Sequence, residues 1–103
     1  MPTLPNMYVI VRRDLNPVYA AVQGTHAVVA YSLGVGHDLY QSWNNGTLVF
    51  LGVRNEQALK LWAMKIADHG KIFSTWCEPD MGGQITAIAC IDTGEIFKKL
   101  DIV

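Results

Sequence analysis

The chain has 103 residues, of which 50% are hydrophobic and 17% are charged, and its formal net charge at pH 7 is −1. This length and composition predict one folded domain with a single core and exclude a disordered protein. The nearly neutral charge, with a sequence pI near 6.2, argues against a free-standing nucleic-acid-binding protein, although a local basic cluster would suffice for that role.

The N-terminal segment carries no signal for export. Residues 1–6 are Pro-rich and are expected to be frayed. They lack the charged and apolar regions of a signal peptide, and no apolar run of the chain approaches the ~18 residues of a membrane span. We therefore expect a cytoplasmic protein without membrane contact, in which Cys77 and Cys90 are free thiols.

A short strand and a long helix open the folded part of the chain. The apolar run at residues 7–11, MYVIV, predicts a buried strand. Residues 17–33 predict the helix, with Asn16 as its cap, Pro17 in its first turn and Gly34 just beyond its end. Apolar residues occur all round this helix, which indicates that it is covered on most faces.

The rest of the chain alternates strands and helices. Within residues 37–46, Leu39, Tyr40 and Trp43 predict a short helix. The patterns that follow predict a central strand, a second long helix, two strands and a last short helix or tail, at residues 47–53, 56–68, 71–77, 84–91 and 93–100. The six-residue loop between the last two strands favours an antiparallel hairpin, and the earlier strand–helix–strand units favour parallel pairing. The predicted fold is a three-layer α/β/α domain with a mixed four-stranded sheet and helices on both faces.

Candidate functional residues cluster between the first strand and the first helix. The free N–H groups of the first helical turn, with Arg12 and Arg13 beside them, would form an anion site. Along the helix, Tyr19, Gln23 and His26 fall within an arc of roughly 60° at 3.6 residues per turn. These three residues form a polar strip on a helix that is otherwise apolar.

A second polar group, Glu78 and Asp80, follows the third predicted strand. Ligands of open α/β sheets bind beyond the carboxyl ends of the strands. A cleft at this edge would combine opposite charges, a general base and amide hydrogen bonds, from Arg12, Asp14, Gln23, His26 and Asp80. Phosphate-loop, dinucleotide, serine-nucleophile and paired-cysteine motifs are absent, and the three histidines lack ligand spacing, so we predict no metal site.

Each candidate also has a purely structural interpretation. Arg12 and Asp14 would equally pair with each other or cap the helix. A histidine within an apolar helix, such as His26, is more often a satisfied core residue than a catalyst, and Tyr19 is explained by packing. The acidic loop residues are explained by a solvated turn. Gln23 is the hardest to explain in this way, because a long amide on a buried helix must find a partner.

The sequence VRRDL, followed on the helix by Ala20, Gln23, Thr25, His26 and Ala27, resembles the type 2 peptidyl-tRNA hydrolase family. In that family an Arg-x-Asp strand end leads into a helix that carries a Lys and then Ala-Ala-Gln-x-x-His-Ala. The order of elements over residues 7–91 is also similar. The resemblance implies a three-layer α/β/α fold, a homodimer, no metal or other cofactor, and hydrolysis of the ester that joins a peptide to tRNA.

By position, the family residues match Arg12, Asp14, Gln23 and His26, and the family loop matches Asp80 and Gln84. We therefore expect catalytic roles for His26, Asp80, Gln23 and Asp14. Substrate-binding roles are expected for Arg12, Arg13, Asn16, Tyr19 and Gln84, with tRNA or another phosphate-bearing ligand as partner.

The chain departs from the family at several positions. Tyr19 stands at the position of the family's helix lysine, the loop before Gln84 is one residue shorter, and Gly83 replaces its threonine. Asp92-Thr93 replaces the Gly-Pro that follows the last family strand. Three hypotheses therefore stay open: a divergent ester hydrolase, a non-catalytic nucleotide- or RNA-binding module, and an interaction dimer with Leu61, Met64 and the Trp43 region as contacts.

Overall fold

The structure, a computed structural model, describes residues 5–103, so most of the segment expected to be frayed lies outside the described residues. The elements in chain order are β1 (Asn6–Arg12), α1 (Pro17–Leu33), α2 (His37–Trp43), β2 (Leu48–Val53), α3 (Glu56–Asp68), β3 (Ser74–Glu78), β4 (Gln84–Asp92) and β5 (Asp101–Ile102). Single 3₁₀ turns lie at Pro79–Met81 and Glu95–Phe97.

The sheet is mixed and has five strands in the order β3-β4-β1-β2-β5. β1 and β2 are parallel, whereas β4 runs antiparallel to both of its neighbours, β1 and β3. The mixed α/β class is therefore confirmed, and the count of four strands is wrong. The fifth strand was missed because Asp101–Ile102 has only two residues, too few to show any periodicity. The helix or tail expected at 93–100 contains only the 3₁₀ turn Glu95–Phe97.

Helix α1 begins and ends where the sequence predicts. The Asn16 side chain caps it by accepting hydrogen bonds from the backbone N–H groups of Val18 and Tyr19, and Gly34 ends it. The expectation that α1 is covered on most faces is wrong for the single chain. Its buried residues, Ala20, Gln23, Gly24, Ala27 and Tyr31, line only one side of the helix. Among the described residues nothing covers the opposite side, because α1 lies flat on the sheet.

Two apolar clusters pack against the sheet. Alternate residues of β1 supply both: Val9 and Val11 belong to the cluster that includes α1, and Ile10 belongs to the cluster that includes α3. Side chains of a strand point alternately to its two faces, so the two long helices pack on opposite faces of β1. Helix α2 adds Trp43 to the α1 cluster.

Helix α3 is amphipathic, as predicted. Asn55 caps it through the backbone N–H of Ala58. Its predicted inner residues, Leu59, Trp62, Ala63 and Ile66, all pack in the α3 cluster. Leu61 and Met64 are exposed, as expected for residues outside the inner stripe.

The β3–β4 hairpin is confirmed. Cys77 pairs with Ile85, far along the ladder from Cys90, and both cysteines are free. The connecting loop ends in Gly82 and Gly83, whose φ angles of +67° and +81° favour glycine. No helix within residues 5–103 has the length and apolar character needed to cross a bilayer.

Candidate functional site

The carboxyl edge of the sheet brings the predicted functional segments together. The parallel strands β1 and β2 end there at Arg12 and Val53. β3 also ends at this edge, at Glu78, because it runs antiparallel to β4, which in turn runs antiparallel to β1. β4 begins at the same edge with Gln84. β3 is therefore parallel to β1, and the acidic residues that follow it lie at the same edge as Arg12 and Asp14.

Arg12 is engaged within the protein. Its Nε and Nη2 donate to the two carboxylate oxygens of Asp14 at 2.9 and 2.8 Å. Its Nη1 donates to Oε1 of Gln84 at 2.9 Å and to the carbonyl oxygen of Ile85 at 3.1 Å. The side chain is only 6% exposed. Hydrogen bonding from Arg12 lowers the pKa of Asp14, so the pair stays ionised and fastens β1 to β4.

Gln23 connects three elements and is fully buried. Its Nε2 donates to Oε1 of Glu78 at 3.0 Å, and its Oε1 accepts from the hydroxyl of Thr86 at 2.7 Å. Glu78 is 8% exposed, and its other oxygen accepts from the backbone N–H of Asp80 at 3.3 Å. The hydrogen bond from Gln23 to the ionised carboxylate lowers the pKa of Glu78. The buried amide of Gln23 therefore has two partners, the Glu78 carboxylate and the Thr86 hydroxyl.

The carboxylate that contacts Gln23 is that of Glu78, not that of Asp80. Glu78 is the last residue of β3, and its side chain turns toward α1. Pro79 then starts a 3₁₀ turn that leaves the Asp80 side chain exposed. Asp80 still acts on the site through its charge: desolvation and the charges of Glu78 and Asp80 raise the pKa of Tyr19.

His26 is an exposed residue, so its interpretation as a core histidine is wrong. The imidazole stacks on the indole of Trp76, with ring centroids 4.6 Å apart and an angle of 15° between the planes. Interaction with His26 contributes to the lowered pKa of Glu78, after the larger effect of Gln23. His26 and Glu78 are therefore electrostatic neighbours on the edge between α1 and β3.

The predicted anion site at the start of α1 is filled by the helix's own cap. Oδ1 of Asn16 accepts from the N–H groups of Val18 and Tyr19 at 2.9 and 3.4 Å, and its carbonyl oxygen accepts from Ala20 at 2.8 Å. Pro17 has no N–H to offer. The expectation of free N–H groups in this turn is therefore wrong, and Asn16 has a structural role as a cap.

Arg13 remains as an available cation. Its side chain is exposed, lies against the α-carbon of Gly52, and makes no ion pair within residues 5–103. The depression next to it has a volume of about 160 Å³, smaller than the ~300 Å³ at which small-molecule pockets begin. Its lining residues are Val11, Arg12, Arg13, Leu15, Pro17, Ala20 and Val103. No group of three or more potential metal ligands occurs in this part of the chain or elsewhere among the described residues.

The site thus has a hydrogen-bonded frame and a rim outside it. The frame consists of two separate clusters, one of Arg12 with Asp14 and Gln84 and one of Gln23 with Glu78 and Thr86. The rim consists of Arg13, Tyr19, His26 and Asp80, which are available to a ligand. Sequence reasoning gave no role to Thr86 and chose Asp80 over Glu78. Glu78 and Asp80 are two positions apart, so strand alternation alone would place both on the same face. The signal that distinguishes them is Pro79, which follows the last residue of β3 and begins the 3₁₀ turn.

Comparison with models of known protein families and with curated proteins gives no match for this chain.

Proposed function

We propose that the chain is a divergent hydrolase of the type 2 peptidyl-tRNA hydrolase kind, acting on the ester of peptidyl-tRNA or a related ester. One observation carries this proposal: Gln23 of the helix motif donates a hydrogen bond to the carboxylate of Glu78, the last residue of β3 before the acidic loop. The two segments on which the resemblance rests therefore meet at one edge. The proposal includes the three-layer α/β/α arrangement, which the two apolar clusters support, and a cytoplasmic location, which the free cysteines support.

In this mechanism His26 is the general base. Its exposed imidazole accepts a proton from the water that attacks the ester carbonyl, and the neighbouring Glu78 carboxylate stabilises the imidazolium that forms. The Tyr19 hydroxyl, about two turns earlier on α1, is the donor proposed for the developing oxyanion. Asp80, in the turn after β3, is a second carboxylate at the carboxyl edge of the sheet, besides Glu78. Arg13 binds a phosphate of the substrate.

The remaining members of the site are positioning residues. Gln23 and Thr86 hold the Glu78 carboxylate, and Arg12 holds Asp14 and Gln84. A neutral hydroxyl at Tyr19 stabilises an oxyanion less than the family's lysine would. We therefore expect slower turnover than a site with that cation would give, by ~10²-fold or more.

The test is release of tRNA from an N-blocked aminoacyl-tRNA by the purified chain. We expect turnover above the buffer rate, and a loss of ~10²-fold or more in His26→Ala, the amount that a general base contributes. His37→Ala is the matched control, because His37 is an exposed histidine on α2, away from this edge. No turnover above buffer, or an equal loss in both variants, would contradict the proposal.

A second candidate is a binding module without catalysis on the same fold. This module is favoured because Arg12, Asp14 and Gln23 form hydrogen bonds with other side chains of the protein. This module would bind tRNA or a phosphate-bearing ligand through Arg13. Saturable binding to tRNA in a mobility-shift assay, weakened by Arg13→Ala and unaccompanied by ester cleavage, would select the module over the enzyme.

A further inference from the structure

A basic depression lies between the C-terminal end of α3 and the 3₁₀ turn Glu95–Phe97. Its volume is about 480 Å³, about three times the 160 Å³ of the depression beside Arg13. This volume falls within the range of roughly 300–1,000 Å³ that is typical of small-molecule pockets. We call it the lysine depression, and its lining residues are Lys65, His69, Glu95, Ile96, Lys98 and Lys99.

The lysine depression is separate from the candidate site. β4 ends at Asp92, and β1 begins at Asn6, with which Asp92 pairs. The turn that follows β4 therefore lies at the edge of the sheet opposite Arg12. Helix α3 belongs to the apolar cluster on the face of the sheet away from α1. The depression thus shares neither an edge nor a face with the candidate site, and an inference about it does not depend on the proposed function.

The charge of the lysine depression is opposite to that of the chain as a whole. Three lysines and one glutamate line it, so its lining residues carry +2 with His69 neutral, whereas the whole chain carries −1. The residues outside the depression therefore carry −3. Lysines that are brought together without an equal number of carboxylates create a positive potential, and such a potential attracts and stabilises an anion.

The three lysines of the depression are available to a ligand. Within residues 5–103, Lys65 and Lys99 form no ion pair. Lys98 pairs with Glu95 at 3.0 Å, but the two side chains are 70% and 75% exposed. An exposed pair of this kind is weak, so it yields to a stronger partner. The ammonium of Lys65 lies 4.4 Å from the ring centroid of Trp62, and this cation–π contact restricts its position.

The end of α3 adds a ring nitrogen to the depression. Nδ1 of His69 lies 2.9 Å from the carbonyl oxygen of Lys65, which can only accept, so Nδ1 carries the proton and Nε2 is available to a ligand. The last carbonyl oxygens of the helix are already bonded. Those of Lys65 and Ile66 accept from the backbone N–H of His69, and that of Ala67 accepts from Gly70. The helix end therefore does not need the lysines of the depression as partners.

We propose that the lysine depression binds a small organic anion with two or more carboxylates. Its cations come from two separate elements, so they match charges that are spread over a carbon skeleton. Compact phosphate groups are typically bound by arginine forks, helix N-termini or nests of backbone N–H groups. This depression has no arginine and lies at a helix C-terminus. Ile96, which is half-buried against the α3 cluster, and the methylene stems of the lysines provide apolar contacts for the skeleton.

Titration of the ¹⁵N-labelled chain with citrate, followed by NMR, tests the proposal. We expect saturable shifts of the backbone amide signals of residues 65–69 and 95–99. The double variant Lys65→Gln/Lys99→Gln should bind citrate about 10-fold more weakly, because two ion pairs with the ligand are lost and exposed pairs are individually weak. Arg54→Gln/Lys60→Gln is the matched control. It removes the same charge from exposed residues outside the depression, and its affinity for citrate should stay within about 2-fold of the wild-type value.

Glu95→Gln provides a second variant whose expected effect cannot come from unfolding. It removes the acid of the lining and releases Lys98, so citrate should bind about 3-fold more tightly. Acetate, with a single carboxylate, should bind at least about 10-fold more weakly than citrate.

Three results would overturn the site: no saturable shift with citrate, shifts confined to residues 12–19, or equal weakening in the two double variants. Inorganic phosphate that binds as tightly as citrate would overturn the assignment to a polycarboxylate. The ester-cleavage assay is read separately, so a failure of this site and a failure of the proposed function are distinguishable.

Discussion

Gln23 and Glu78 form the central polar contact of the molecule, and each explains the other's burial. The amide donates to the carboxylate at 3.0 Å and accepts from Thr86 at 2.7 Å, so both of its ends are satisfied. A buried carboxylate is tolerated only with such hydrogen bonds. The contact also joins α1 to the hairpin of β3 and β4. A change at either residue therefore acts on the fold and on the site together.

The Glu78 carboxylate makes the stability of the fold depend on pH. Its pKa lies below the ordinary value of 4.5, chiefly because Gln23 hydrogen-bonds the ionised form. A lowered pKa stabilises the folded state above the ordinary value, and this contribution is lost as pH falls through the folded-state pKa. We expect urea denaturation to show lower stability at about pH 3.5 than at about pH 7, with a smaller difference in Glu78→Gln.

Asp38→Asn is the control for this comparison. Asp38 is a fully exposed carboxylate on α2, and its removal should leave the pH dependence of the wild-type protein unchanged. An equal loss of stability at low pH in the wild-type protein and in Glu78→Gln would contradict the assignment.

The two cysteines should differ sharply in reactivity. Burial raises the pKa of the Cys90 thiol to about 12, so its reactive thiolate is scarce at neutral pH. Cys77 is exposed on β3. Titration with a chromogenic thiol reagent near neutral pH should detect one fast thiol in the folded protein and two in denaturant. Cys77→Ser should abolish the fast reaction, and two fast thiols in the folded protein would contradict the burial of Cys90.

At the scale of elements, the approach of α1 to the sheet depends on Gly24. A Cβ at this position would lie 2.6 Å from a ring carbon of Phe50 and 2.9 Å from a methyl carbon of Val9. Gly24→Ala therefore forces the helix or the ring to shift. We expect a loss of about 1–3 kcal/mol in the free energy of unfolding, as for other overpacked cores.

Urea denaturation measures this loss, and Thr25→Ala on the exposed side of the same helix is the control, with a change within about 0.5 kcal/mol. If Gly24→Ala were as stable as the wild-type protein, the close contact between α1 and Phe50 would be disproved.

The sequence predicts the elements well wherever a local signal marks their ends. Asn16, Pro17 and Gly34 mark the ends of α1, and Asn55 marks the start of α3. These residues act through hydrogen bonds or backbone angles within one turn, so they can be recognised without knowing the fold. β5 exists only because its two residues pair with Leu51 and Gly52 of β2. A pairing of this kind leaves no local signature.

The sequence predicts where the site lies in the fold, but it does not predict which side chains contact one another there. The shared edge of Arg12 and the acidic loop follows from strand direction, which the hairpin and the crossovers determine. The choice between Glu78 and Asp80 depends on which side chain β3 turns toward α1, and this requires the exact end of the strand. The hydroxyl of Thr86 reaches Gln23 from β4, across 63 positions of sequence.

At the scale of the whole molecule, the two faces of the sheet are covered differently. On one face α3 turns its apolar stripe inward and its charged side outward. On the other face α1 is apolar on both sides, so the sequence pattern of a fully covered helix coexists with an exposed surface.

The position of β4 determines when the sheet is completed during synthesis. β4 lies between β3 and β1, so β1 acquires its second neighbour only after residues 84–92 have left the ribosome. Until then the nascent chain has one side of β1 unpaired, and the core beneath α1 lacks Ala87, Ala89 and Ile91. Open edges and uncovered apolar surface favour pairing with the wrong chain. The emerging polypeptide is therefore most prone to aggregation in the interval before β4 pairs with β1.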